Sequence, residues 1–105
     1  MFARSPYVAG VIEILTFRLA DGVDPAAFTA LDARIQTEVA YQQPGLRRRT
    51  TGRNGDGRWL ILQVWTSSDA AAAGRAALDG SALGADLDAL IDAGSVHLER
   101  FEGLD

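Results

Sequence analysis

Residues 46–66 read LRRRTTGRNGDGRWLILQVWT, and the order of polarity within them decides the fold. Leu46 to Arg53 has the composition of a polar strand. Asn54-Gly55-Asp56-Gly57 follows, a run whose residues tolerate the positive φ that a tight hairpin turn demands. Arg58 to Thr66 then returns as the most hydrophobic segment of the chain, rich in β-branched and aromatic side chains. An antiparallel hairpin therefore sits at the middle of the chain, with helical signals on either side.

Upstream, Pro44-Gly45 stops a helix that runs from Pro25 to about Gln43. Phe28, Leu31, Ile35 and Val39 recur in it at steps of three and four, an apolar stripe that leaves Asp32, Arg34, Gln36 and Glu38 towards water. Asp24 precedes the proline as an N-cap. Before the Ala20-Asp21-Gly22 turn, Val8 to Leu19 (VAGVIEILTFRL) reads as a strand. Downstream, Ser67, Ser68 and Asp69 offer caps for an Ala-rich helix from about Asp69 to Leu78. Asp79-Gly80-Ser81 breaks it, and a second helix from about Ala82 to Asp92 carries Leu83, Leu87, Leu90 and Ile91 on one face. Gly94 is expected as a left-handed C-cap, and Val96 to Phe101 forms the last strand. The order is that of a ferredoxin-like βαββαβ domain, an α+β fold with an antiparallel four-stranded sheet. Right-handed crossovers put the first and last strands side by side and both helices on one face.

The 105 residues suit one domain spanning 1–105. At this size the second sheet face is left uncovered, and a homodimer is the expected remedy. A net charge of −4 argues against nucleic-acid binding. The run Arg47-Arg48-Arg49 does not reverse this, because alternate strand residues point to opposite faces and charges on an edge strand guard against aggregation. The absence of Cys excludes disulfides and thiolate sites, and a lone His97 excludes a multi-histidine metal centre within one chain. No signal peptide and no membrane span are read, so a cytoplasmic location is expected.

The segments VIEILTFRLADGVDPAAF (11–28), QPG (43–45), GRWLILQVWTSSDAA (57–71) and ALIDAGSVHLERFE (89–102) resemble the dimeric α/β-barrel superfamily, specifically its antibiotic-biosynthesis-monooxygenase-like domains. The resemblance covers nearly the whole chain and rests on order, spacing and a strand-ending Trp before a capped helix. It implies two sheets packed back to back across a two-fold axis; some proteins of this kind are cofactor-independent monooxygenases of aromatic polyketides, some degrade haem, and many have no known role. Haem-degrading members carry an Asn on the first strand, a Trp on the third and a His on the next helix. Trp65 matches the Trp, but the first strand has no Asn and residues 69–78 no His, so haem degradation is not implied.

Alternation separates the sheet faces. Ile12, Ile14, Thr16, Leu60, Leu62 and Val64 form an almost wholly apolar set, joined by Val96 and Leu98, expected beneath the helices. The opposite set brings Glu13, Phe17, Trp59, Gln63 and Trp65 together with His97, Glu99 and Phe101 in a half-polar barrel interior. His97 is the candidate general base, with Glu13 orienting it across neighbouring strands. Phe17, Trp59, Gln63, Trp65 and Phe101 are the candidate substrate contacts. Each has a plainer counterpart: His97 as a hydrogen-bonded wall or interface residue, Glu13 as a structural partner of Arg47 or Arg49, the Trp rings as packing. The function expected is a cofactor-independent monooxygenase, or related enzyme, of a small aromatic molecule. The alternative is a non-catalytic dimeric ligand-binding or structural module.

Overall fold

Strand β1 (Val11–Phe17) lies at the centre of the sheet, hydrogen-bonded to β3 (Trp59–Trp65) on one side and to β4 (His97–Glu102) on the other. A computed structural model describes residues 10–104 and carries these strands, with β2 (Leu46–Arg53) outermost beside β3. The antiparallel order is β2-β3-β1-β4, the ferredoxin-like arrangement read from the sequence. Val8 and Ala9 of the expected first strand lie outside the described residues.

The helices cover one face. Helix α1 (Pro25–Glu38) begins where Asp24 accepts from the Ala26 amide, as the Asp-Pro pair predicts, and stops earlier than the stripe suggests. A 3-10 turn, Ala40–Gln42, takes over its last residues. Helix α2 (Ser68–Asp79) is capped by the Ser67 hydroxyl on the Ala70 amide, and α3 (Ala82–Leu90) by Ser81 on Leu83. The hairpin turn is held by Asn54, whose Oδ1 accepts from the Asp56 and Arg58 amides, with Gly57 at φ 77°. Gly94 does not cap α3. That helix ends with Ile91 in extended conformation, Gly94 has no positive φ, and Ala93–Ser95 form a 3-10 turn anchored by Asp92. Leu19 makes an antiparallel bridge to Ile91, so chain pairing rather than a glycine ends the helix.

For β1 and β3 the two sheet faces are the reverse of the sequence expectation, whereas Leu98 of β4 pairs with Leu15 on the helix-facing side as expected. Phe17, Trp59, Ile61 and Trp65 are buried beneath the helices, where Phe17, Trp59 and Ile61 join a core with Phe28, Ile35 and Leu83. Phe28 stands at 5.4 Å from the Phe17 ring, edge-on, and at 4.7 Å from Trp59. The aliphatic set Ile12, Ile14, Leu60, Leu62 and Val64 looks away from the helices and is only half-buried. Both faces are apolar enough to be a core, and the helix-facing one carries the larger ring volume.

Asp32, expected in water, is 8% exposed and grips Arg49, itself 7% exposed, across the α1–β2 gap. Thr51 donates to the second Asp32 oxygen at 2.7 Å, and Gln36 accepts from Arg49 at 3.3 Å. Tyr41 adds a clamp, accepting from the Arg49 amide at 3.1 Å. The pair ties the first helix to the edge strand. Asp32→Ala leaves a buried guanidinium without its counter-ion and is expected to cost about 3 kcal/mol or more in urea unfolding. The double replacement Asp32→Leu with Arg49→Met is expected to recover most of that loss.

Candidate active site

The registers of β1 create one polar row across the helix-facing side of the sheet. Glu13 stands opposite Gln63 of β3 and opposite Arg100 of β4, and Gln63 in turn stands opposite Arg49 of β2. Glu13 is 3% exposed in an otherwise apolar strand. Its Oε2 accepts from Arg100 Nε at 2.7 Å and has Arg75 of α2 at 3.9 Å. Glu13 Oε1 makes no hydrogen bond among the described residues. The carboxylate is thus ion-paired from above and from the side, which offsets the cost of removing it from water.

Next to this row, beneath α2, is a cavity of about 90 Å³. Its polar lining comes from Glu13, Gln63, Arg49, Arg75 and Asp79, and Trp65 forms an aromatic wall. Leu15, Ile35, Ile61, Leu78 and Leu87 supply the apolar remainder. Trp65 is 2% exposed, and its Nε1 is the buried side-chain polar atom without a partner among the described residues. A buried donor left unmade costs about 1–3 kcal/mol. Wider clefts of about 480 Å³ beside Pro25 and Arg53, and about 410 Å³ beside Asp32 and Thr50, are open to solvent. They contain no such buried, uncommitted group among the described residues.

The sequence-derived candidates divide into three groups. Glu13, Gln63 and Trp65 meet at the cavity. Phe17 and Trp59 belong to the neighbouring core, with Arg53 stacked 5.2 Å from the Trp59 ring. His97 and Phe101 are on the other face of the sheet, because Thr16 pairs with His97 and Ile12 with Phe101. The expected Glu13–His97 contact is therefore not made. His97 Nε2 stands 3.3 Å from Glu99, and both side chains are exposed. Glu13 pairs with neither Arg47 nor Arg49; the register shift between Leu46 and Arg48 leaves Arg47 out of the ladder, and Arg49 belongs to Asp32.

Arg75, Arg100 and Gly74 were not singled out from the sequence. Arg100 follows from register alone. Arg75 has a signal, as the single basic residue in an Ala-rich helix. Gly74 is explained by contact: an added Cβ would lie 2.7 Å from Trp65 Cζ2 and 2.8 Å from Cζ3. The glycine lets the indole seat against α2. Among the described residues, no group of three or more His, Cys, Asp or Glu could hold a metal ion, and no helix is long and apolar enough to cross a membrane.

The fold is shared with solved structures. One is SnoaB, a cofactor-independent oxygenase from Streptomyces nogalater, at TM-score 0.77 and 24% identity over 93% of this chain and 96% of that one. A second is a Caulobacter crescentus protein assigned as an antibiotic biosynthesis monooxygenase, at TM-score 0.76 and 18% identity over 94% and 93%. A third, from Chloroflexus aurantiacus and assigned likewise, has TM-score 0.70 and 19% identity over 91% and 94%. No family model matches the chain, and no curated protein matches it. The chain thus shares the ferredoxin-like fold of these proteins.

Gly74→Ala tests the seating of Trp65. The alanine gains about 1 kcal/mol of helix propensity, while overpacking against the indole costs about 1–3 kcal/mol. A lower Tm with altered tryptophan fluorescence is the expected result.

Proposed function

We propose that the chain is a cofactor-independent monooxygenase, or a closely related enzyme, of a small aromatic molecule held beneath α2, and that it works as a homodimer. The carrying observation is the meeting, in one cavity, of an aromatic wall, an unpartnered indole N–H and a buried carboxylate. The fold shared with SnoaB supports the reaction class.

In this reading Glu13 Oε1 is the base. It takes a proton from a phenolic O–H or from an activated ring CH2, and the resulting anion is electron-rich enough to reduce O2. Trp65 Nε1–H and the Gln63 amide hold the oxygen on which negative charge develops. For a CH2 oxidised to C=O, O2 supplies one oxygen atom to the product and the other leaves as water with both hydrogens. No external reductant is needed, since the substrate carbon gives up the electrons. His97 takes no part from within its own subunit's cavity. A second copy would cover the open aliphatic face around Ile14 and Leu62, where His97 and Phe101 become interface residues.

A second reading, a dimeric ligand-binding module without catalysis, draws on the size of the cavity. At about 90 Å³ it is below the ~300–1,000 Å³ usual for ligand pockets. Oxygen uptake separates the two readings. Wild-type protein with a panel of mono- and polycyclic phenols in air is expected to consume O2 with at least one, and Glu13→Gln to lose at least ~100-fold of that rate. Binding of the panel with no uptake from any member would leave the second reading in place. Leu62→Glu, which puts a charge on the open face, is expected to convert a dimer into a monomer in sedimentation equilibrium.

A further inference from the structure

We infer that Arg75 is the anion-binding residue of the cavity and that its ligand is a single-ring aromatic bearing an ionised oxygen, a carboxylate or an acidic phenolate. The inference rests on the cavity assignment above and names the ligand class for it.

The charges around Glu13 are unequal. Two guanidiniums, Arg75 and Arg100, face one carboxylate. Arg100 is committed, with Nε 2.7 Å from Glu13 Oε2. Arg75 is 3.9 Å from the same oxygen, outside hydrogen-bond reach, and its guanidinium donates no hydrogen bond among the described residues. Arg49, the third arginine of the lining, is taken up by Asp32. Asp79, one turn beyond Arg75 on α2, also lines the cavity and makes no ion pair with an arginine among the described residues. Arg75 is therefore the lining arginine that donates no hydrogen bond to a carboxylate among the described residues, with the Asp79 carboxylate one turn away. The Arg75 side chain is 49% exposed, so it stands where the cavity meets solvent and can receive an incoming charge without being buried first.

The other uncommitted groups point the same way. Trp65 Nε1–H lacks an acceptor, and the Gln63 amide has no partner among the described residues. Donors therefore outnumber the free acceptors, which are Glu13 Oε1, the Gln63 carbonyl and the Asp79 carboxylate. A ligand rich in acceptors complements such a lining, and an anionic one gains charge-assisted bonds to Arg75's planar fork. Volume sets the rest. An apolar cavity of about 150 Å³ takes up benzene, so a cavity of about 90 Å³ encloses one ring after small side-chain shifts and favours a single-ring ligand over a fused one. Leu15, Ile61 and Leu87 give that ring an apolar bed beside Trp65.

The test is anaerobic binding, followed by calorimetry, of salicylate and of its uncharged counterpart salicyl alcohol, with 1-hydroxy-2-naphthoate as the two-ring anion. Wild-type protein is expected to prefer salicylate over the alcohol by about ten-fold or more, the usual worth of a hydrogen bond to a charged group. The naphthoate is expected to bind at least ~10-fold more weakly than salicylate, because its second ring overpacks the apolar bed of the cavity. Arg75→Gln should abolish the preference while leaving the affinity for the alcohol unchanged, and Arg75→Lys should restore part of it. Unchanged circular dichroism and Tm in both variants separate lost recognition from lost folding. Equal affinity for the acid and the alcohol, persistence of the preference in Arg75→Gln, or tighter binding of the naphthoate would each overturn the inference. So would no binding by any of the three. Because oxygen is excluded, these outcomes are independent of whether the protein oxidises anything; oxygen uptake with uncharged or polycyclic phenols alone would uphold the monooxygenase and refute the anion site.

Discussion

A carboxylate withdrawn from water at the centre of a sheet is stable only if its charge is met, and Glu13 is met from two directions. Arg100 reaches it from the neighbouring strand and Arg75 approaches from the helix above. Those contacts require β4 to pair with β1 in one register and α2 to lie over β1 and β3 in one position. A slip of one residue in β4 would bring Glu99 or Phe101 to the helix-facing side and leave Glu13 uncompensated. The ion pair therefore selects among registers that hydrophobic pattern alone leaves close in energy.

The same placement shapes the cavity. Glu13 with its arginines holds polar atoms where α2 crosses the sheet, so apolar side chains cannot close over that region completely. Gly74 contributes from above by admitting the Trp65 indole against the helix backbone. Beyond the cavity, Phe17, Phe28 and Trp59 pack as an ordinary aromatic core, and the Asp32–Arg49 pair secures the edge strand beneath α1. A rigid, filled end and a polar, incompletely filled end thus share one helix-covered face.

The open face has the opposite character. Its aliphatic residues lie in neat alternation with those of the core, yet no element among the described residues covers them. Its regularity led the sequence reading to put it under the helices. Aliphatic alternation marks a face that favours burial and does not say whether a helix or a second copy of the chain would cover it. The Glu13 face is half-polar and lies beneath the helices.

Element order, the hairpin at Asn54–Gly57, the Asp24 and Ser67 caps and the grouping of Glu13 with Gln63 and Trp65 were legible in the amino-acid sequence. Each depends on local propensity or on the two-residue period within one strand or one paired hairpin. The position of His97 was not legible, because the parity of β4 relative to β1 is a long-range matter that no turn between them sets. Nor were the partners of Glu13 and Asp32, since arginines distant in sequence reach them only once the strands and helices are in place. Sequence determined which residues could share a face. Only the tertiary structure decided which face the helices cover, which arginine met which carboxylate, and that Arg75 donates no hydrogen bond among the described residues.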